Sequence, residues 1–433
     1  MNKIFFLFLL LILYSCSLDT KSGLWTKTEK ISNKKNPVIV DVNEKTDILE
    51  KEFNKNLKIK LKSGYKTLSF VENNTNNNGH LNFDGNLKKK SKYKFSKIKN
   101  FRFLQPDLLL TKKESIIFFN NKGTILNFDN DSNLLWKKNF YNKNEKKMNP
   151  IVYFSSKDNK LVAADNLANY YALNLENGNL LWKFRNSVPF NSQVKIYEDK
   201  IFVIDFENIL RCYSLKNGKE LWNFKTEKSF IKSQQKLSLI IYKSTVVFNN
   251  TIGDITSLDI KTGNLVWQTP TQSNTIYENA FSLKSSDLVL ENDSIFFSNN
   301  KNEFFALKAN NGQLLWKNNI NSNLRPTIID KLVFTVSMEG FLIIIDSSNG
   351  NIIRITNIFD RFKNKKKQIK PTGFVVAKNK IYISLNNGKL IIANILDGKS
   401  LDTIKIDGDK ISRPYILSKN LYVIKDNAIL KIN

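Results

Sequence analysis

Histidine and cysteine are nearly missing from this chain. Its 433 residues include one His, His80, and two Cys, Cys16 and Cys212. A zinc site needs a tetrahedral set of such ligands, and a disulfide framework needs several paired Cys. Both are excluded. A His-based triad has only His80 to draw on, and His80 lies in a polar segment. Gly-x-Ser-x-Gly, His-Glu-x-x-His and a phosphate-cradling Gly-Lys-Ser/Thr loop are also missing. These absences point away from enzymology and from a resident cofactor or metal. Arg is scarce as well, at 7 against 60 Lys. Proteins that read nucleic-acid bases favour Arg for its bidentate contacts. The net charge of +28, from 67 basic and 39 acidic residues, therefore reads as a Lys-rich surface and not as a nucleic-acid footprint. The densest run, Lys363-Asn364-Lys365-Lys366-Lys367, falls between repeats and reads as a solvated loop.

What is present begins with an address. Met1-Asn2-Lys3 is a positive n-region, and Ile4 to Leu13 is an apolar run. The run is too short to span a bilayer but suits a secretory signal. Leu13-Tyr14-Ser15-Cys16 follows and resembles a bacterial lipobox. This predicts a signal peptide over 1–15, diacylation of Cys16, and an anchor in the outer membrane facing the periplasm. Residues 16–79 are Lys- and Asn-rich and end in Asn73-Asn74-Thr75-Asn76-Asn77-Asn78-Gly79. Such a tract buries too little apolar surface to offset chain entropy and reads as a partly disordered tether. Cys212, the second thiol, aligns with Ala172, Ser257 and Ala306 of other repeats and reads as a small core residue.

From residue 80 to 433 the chain repeats. Trp136, Trp182, Trp222, Trp267 and Trp316 recur at intervals of 46, 40, 45 and 49 residues. All but the first follow a Gly turn at Gly178, Gly218, Gly263 and Gly312. Gly350 and Gly398 keep the turn without the Trp, giving seven copies. Gly supplies positive φ at little cost, so each turn reads as a hairpin between alternating apolar runs. A second turn lies about ten residues earlier, at Gly123, Asn208, Gly253, Asn302, Gly340 and Gly388. Pro106, Pro150, Pro189, Pro326, Pro371 and Pro414 open successive units. One unit is four short antiparallel strands, which is a β-propeller blade. The last strands, over Ile411–Asn433, need a partner, and the stretch Leu81–Phe95 can supply it. The spacing predicts an all-β propeller of eight blades closed by an N-terminal strand, with seven as the alternative. Each Trp is expected to pack between neighbouring blades.

The pattern Ala-Leu-x4-Gly-x3-Trp, in Ala172-Leu173, Gly178 and Trp182 and again in Ala306-Leu307, Gly312 and Trp316, resembles the PQQ-type propeller repeat. Lipobox, tether and propeller together resemble the BamB family of outer-membrane assembly lipoproteins. The resemblance implies a non-enzymatic scaffold that binds the central barrel-inserting subunit and presents sheet edges to unfolded outer-membrane proteins. It also implies a docking loop. The matching residues are Phe230, Ile231 and Lys232, with Lys232 where Arg is usual, and strand-edge packing is the alternative for the first two. An acidic pair of the family, one blade later, has no aligned counterpart in Ser282–Asp287. Two other readings are a quinoprotein dehydrogenase using PQQ and calcium, and a propeller lipoprotein with another partner. The first would resemble enzymes carrying an adjacent Cys-Cys pair, which is lacking here.

Overall fold

The computed structural model describes residues 56–62, 64–65, 74–88, 90–227, 235–271, 283–360, 362 and 368–433. The chain divides into two units, Met1–Ile48 and Leu49–Asn433. Every described residue belongs to the second. The signal segment and Cys16 lie outside the described residues, as does the Lys363–Lys367 run.

The repeat folds as its turns dictate. The third blade has strands Lys195–Tyr197, Lys200–Ile204, Ile209–Ser214 and Glu220–Lys225, paired in that order. Its second strand reads Lys-Ile-Phe-Val-Ile and is buried after the first residue. A strand covered on both faces becomes a continuous apolar run. The outermost strand instead alternates exposed and half-buried residues. Eight such four-stranded antiparallel sheets follow one another as an eight-bladed propeller. The eighth is built from both ends of the chain: Lys90–Lys94 pairs antiparallel with Ala428–Ile432, Lys90 opposite Ile432 and Lys94 opposite Ala428. The expected eight blades with an N-terminal closing strand are therefore what forms, and the seven-blade alternative falls. First strands of neighbouring blades approach one another, Lys195–Tyr197 lying against Val152–Lys157 on one side and Leu239–Tyr242 on the other. These strands form the inner wall around the axis.

The core lies between blades. Phe202 and Cys212 of the third blade cluster with Leu239, Val246 and Phe248 of the fourth. Each repeat Trp reaches across the same kind of seam. The indole N–H of Trp222 donates to Ile260 O at 3.1 Å, and that of Trp267 to Ala309 O at 3.1 Å. Trp136, Trp182 and Trp316 donate likewise to Leu175, Leu215 and Ser347. Each indole also lies over the turn glycine of the following blade. A Cβ on Gly263 would stand 2.7 Å from Trp222, and one on Gly178 2.8 Å from Trp136. Gly218, Gly312 and Gly350 meet Trp182, Trp267 and Trp316 in the same way, whereas Gly398 meets Thr356. Across the sheet, Ala172, Cys212, Ser257 and Ala306 sit directly opposite Trp182, Trp222, Trp267 and Trp316, and Asn127 sits opposite Trp136.

One expectation changes. Asn76, Asn77 and Asn78, expected within the tether, are each 2% exposed. The backbone of Asn74 accepts from Ile241 N at 2.9 Å, and Thr75 O accepts from Leu290 N at 2.9 Å. Leu81 then pairs in parallel with Ala377. Residues 74–81 thus form a strap along the inner strands of the third to seventh blades. Asn brings its own donors and acceptors, so a tract poor in apolar residues can still be held against the inner wall. The two N–H groups of Asn76 Nδ2 are shared among Gln193 Oε1, Leu239 O and Leu288 O, which lie 2.9–3.1 Å away. Further back, Ile59 is buried and its N–H donates to Leu396 O. No strand is assigned there.

Candidate functional site: the propeller axis

Six charged residues stand at or just before the inner strands: Asp107, Lys195, Lys236, Asp287, Arg325 and Arg413. The propeller's rotation brings them together although up to 306 residues separate them in sequence. Asp107 Oδ1 accepts from Arg413 Nη2 at 2.9 Å and from the Tyr415 hydroxyl at 3.2 Å, and its other oxygen takes the Lys236 ammonium. Asp287 accepts from Arg325 Nε at 2.6 Å and also from its Nη2. Lys195 Nζ donates to Asn76 Oδ1 of the strap at 2.6 Å.

The electrostatics follow from burial and neighbours. Burial alone would push the Asp107 carboxyl up, but Lys236, Arg413 and Arg325 outweigh it and hold it well below the usual carboxylate range. Asp287 is lowered for the same reason by Arg325 and Lys236. Lys195 is pulled down to about 7, by burial first and then by the Arg325 charge. Burial pushes the Tyr153 hydroxyl well up. Beside these groups lies a cavity of about 90 Å³, walled by Asn76, Tyr153, Ser156, Lys195, Arg325 and Arg413 among others.

In the sequence these charges are indistinguishable from the Lys-rich surface composition. A signal was there: Asp107, Arg325 and Arg413 each adjoin one of the prolines that open a unit.

The sequence profile described as outer membrane protein assembly factor BamB matches residues 121–356, more than half the chain. The chain belongs to the BamB family. BamB from Moraxella catarrhalis superposes with a TM-score of 0.59 at 13% identity, over 76% of this chain and 99% of that one. Quinohemoprotein alcohol dehydrogenase from Comamonas testosteroni superposes at 0.60 with 10% identity, over 82% of this chain and 78% of that one. A europium-containing methanol dehydrogenase gives 0.61 at 11% identity, over 82% and 88%. At these identities the likeness is one of fold. No curated protein matches the chain by sequence.

The docking residues that the BamB resemblance implies, Phe230, Ile231 and Lys232, lie outside the described residues. Asp287, in the stretch comparable to the family's acidic pair, points to the axis and pairs with Arg325. Sites for drug-sized ligands occupy roughly 300–1,000 Å³, against about 90 Å³ here. Among the described residues no group of His, Cys, Asp and Glu converges on a metal position. Both acidic groups of the cluster are spent on ion pairs.

Proposed function

We propose that this chain is a periplasm-facing, lipid-anchored scaffold of outer-membrane β-barrel assembly, binding the barrel-inserting subunit and performing no catalysis. Membership of the BamB family carries the reading. Cys16 is the proposed lipidation site, and the Phe230-Ile231-Lys232 loop the proposed docking contact. The outer strands support a further contact with unfolded chains. Leu134 and Leu135, Leu180 and Leu181, and Leu314 and Leu315 are exposed on edge strands that pair on one side only. An unpaired edge with apolar side chains can accept an extended segment by strand addition.

Co-purification tests the partner. The barrel-inserting subunit is expected to be retained with the full chain and to be lost from a Phe230→Ala, Ile231→Ala double variant. Absence of the subunit, with other assembly lipoproteins still retained, overturns the proposal. Metabolic palmitate labelling tests the anchor separately: Cys16→Ser is expected to abolish the label and to release the protein from the membrane fraction.

A further inference from the structure

Around the first blade, one side of the propeller gathers lysines from three separate segments. Lys99 lies on the connection from the eighth blade to the first, and Lys122 on the turn between the second and third strands of the first blade. Lys143, Lys146 and Lys147 lie on the connection from the first blade to the second. Strand direction alternates along an antiparallel blade, so these turns and connections open on the same side. The five lysines line one cleft there, with Asn121 and Asn149. Lys143, Lys146 and Lys147 share one face of the short helix Lys143–Lys147, at a spacing where like charges repel. The helix's one acid turns inward. Glu145 is 9% exposed, accepts from Asn142 N at 2.9 Å and pairs with Arg185 at 3.1 Å. Asp426, on a turn of the eighth blade, is taken by Lys97 at 3.0 Å. Among the described residues no carboxylate pairs with the five ammonium groups of the cleft.

Two apolar side chains stand on the same two connections. Phe103 is 72% exposed and Met148 62%, the highest values for large apolar residues among the described residues. Phe103 follows Arg102, whose guanidinium lies 4.7 Å from its ring centroid, and Met148 follows Lys147. Neither is a loose end. Phe101 is buried, and Lys410 Nζ donates to Arg102 O at 3.2 Å and to Leu104 O at 2.7 Å. Met148 N donates to Glu145 O at 3.0 Å, closing a helix that opens on the Asn142–Glu145 capping box. The backbone therefore holds both side chains out in water, where apolar surface is unfavourable. Apolar groups flanked by Lys and Arg suit the boundary between anionic headgroups and acyl chains. A Lys-rich composition explains scattered charges, not their pairing with the two most exposed apolar residues.

We infer that this side of the propeller, around the first blade, docks on an anionic phospholipid bilayer. Lys99, Lys122, Lys143, Lys146 and Lys147 meet headgroup phosphates, and Phe103 and Met148 enter the interface. A bilayer does not require the charges to converge on one point. It requires them on one side, which the topology supplies. This contact needs neither the proposed acyl anchor nor the barrel-inserting subunit.

Vesicle co-sedimentation tests this with the full chain in its Cys16→Ser form, so that no acyl chain contributes. Vesicles of phosphatidylcholine alone measure any pull by the N-terminal apolar run, and vesicles with one-third phosphatidylglycerol measure the added attraction. Binding to the anionic vesicles is expected to be about tenfold stronger or more, and to weaken as salt rises. The combined variant Lys122→Gln, Lys143→Gln, Lys146→Gln, Lys147→Gln is expected to lose most of that excess. Lys216, Lys219, Lys261 and Lys399 are exposed on turns between third and fourth strands, which open on the other side. The same four-fold change to Gln there is expected to keep most of it. Phe103→Ser with Met148→Ser leaves every charge in place and is expected to weaken anionic binding several-fold. Equal binding to both kinds of vesicle overturns the proposal, as does equal loss in the two folded Lys variants. Binding to a short DNA duplex without binding to anionic vesicles also overturns it.

Discussion

A single glycine shows how much one residue owes to a neighbouring blade. Gly263 has φ +74, and a Cβ there would also stand 2.7 Å from Trp222. Gly263→Ala is expected to cost about 1–3 kcal/mol, from left-handed strain together with overpacking. Gly64 has nothing within 4 Å, and Gly64→Ala is expected to stay within about 0.5 kcal/mol. Urea unfolding of the two variants checks both. The turn requirement was legible in the text, because Asn-Gly and Thr-Gly between apolar runs have a local mechanism. The indole contact was not, because the Trp that presses on each glycine belongs to the preceding blade. Cys212 can be tested the same way. It is fully buried opposite Trp222, and burial pushes its thiol up to about 12. An alkylating reagent is expected to leave it unlabelled in the native protein and to label it fully in denaturant.

Elements are set by pairing as well as by local sequence. Lys90–Lys94 carries three Lys in five residues and is exposed except at Tyr93. Taken alone it is a poor strand. The need for a fourth strand in the last blade made it predictable, since an open propeller leaves a sheet edge unpaired. Its one buried side chain, Tyr93, packs edge-on to Phe128 of the first blade at 5.5 Å between ring centroids, and so joins the eighth blade to the first. Deleting residues 1–94 is expected to yield aggregated or oligomeric material by size exclusion, whereas deleting residues 1–55 is expected to leave a folded monomer. The strap was not legible, because its contacts are made by Asn side chains to backbone groups of distant blades. Arg354 illustrates a related substitution. It holds the place of the repeat Trp in the sixth blade and donates to Asp397 O across the seam. It also donates to Leu57 O at 2.7 Å, a contact no indole could add.

At the scale of the whole molecule, the axial charges couple stability to pH. Lys195, facing Arg325, Asp287, Asp107 and Lys236, is lowered from 10.5 to about 7. Between those values the unfolded chain binds more protons than the folded one, so stability rises with pH across this window. Lys410, lowered by burial to about 8, adds a rise of the same sign. Asp107 and Asp287 are held low, so their contribution is present above about 3.8 and fades as pH falls further. The urea midpoint is expected to be higher at pH 9 than at pH 7, and Lys195→Met is expected to shrink that difference. Blade count, closure and the seam-crossing Trp positions follow from a repeat that any stretch of the text displays. The axis could not be read in that way, since its six charges meet only once the ring is closed.

The strap also decides where the molecule bears load. Tension arriving along the chain from its N-terminal side first meets Leu57, Ile59 and Lys62, tied to Arg354, Leu396 and Asp330. It next meets Asn74–Leu81, laced to five inner strands by backbone and Asn side chains. Only past these does force reach Lys90–Lys94. The sheet whose peeling would open the ring thus sits behind two mechanical stops. A tug on the leading end is spread over the inner wall before it can reach the seam where the chain's two ends meet.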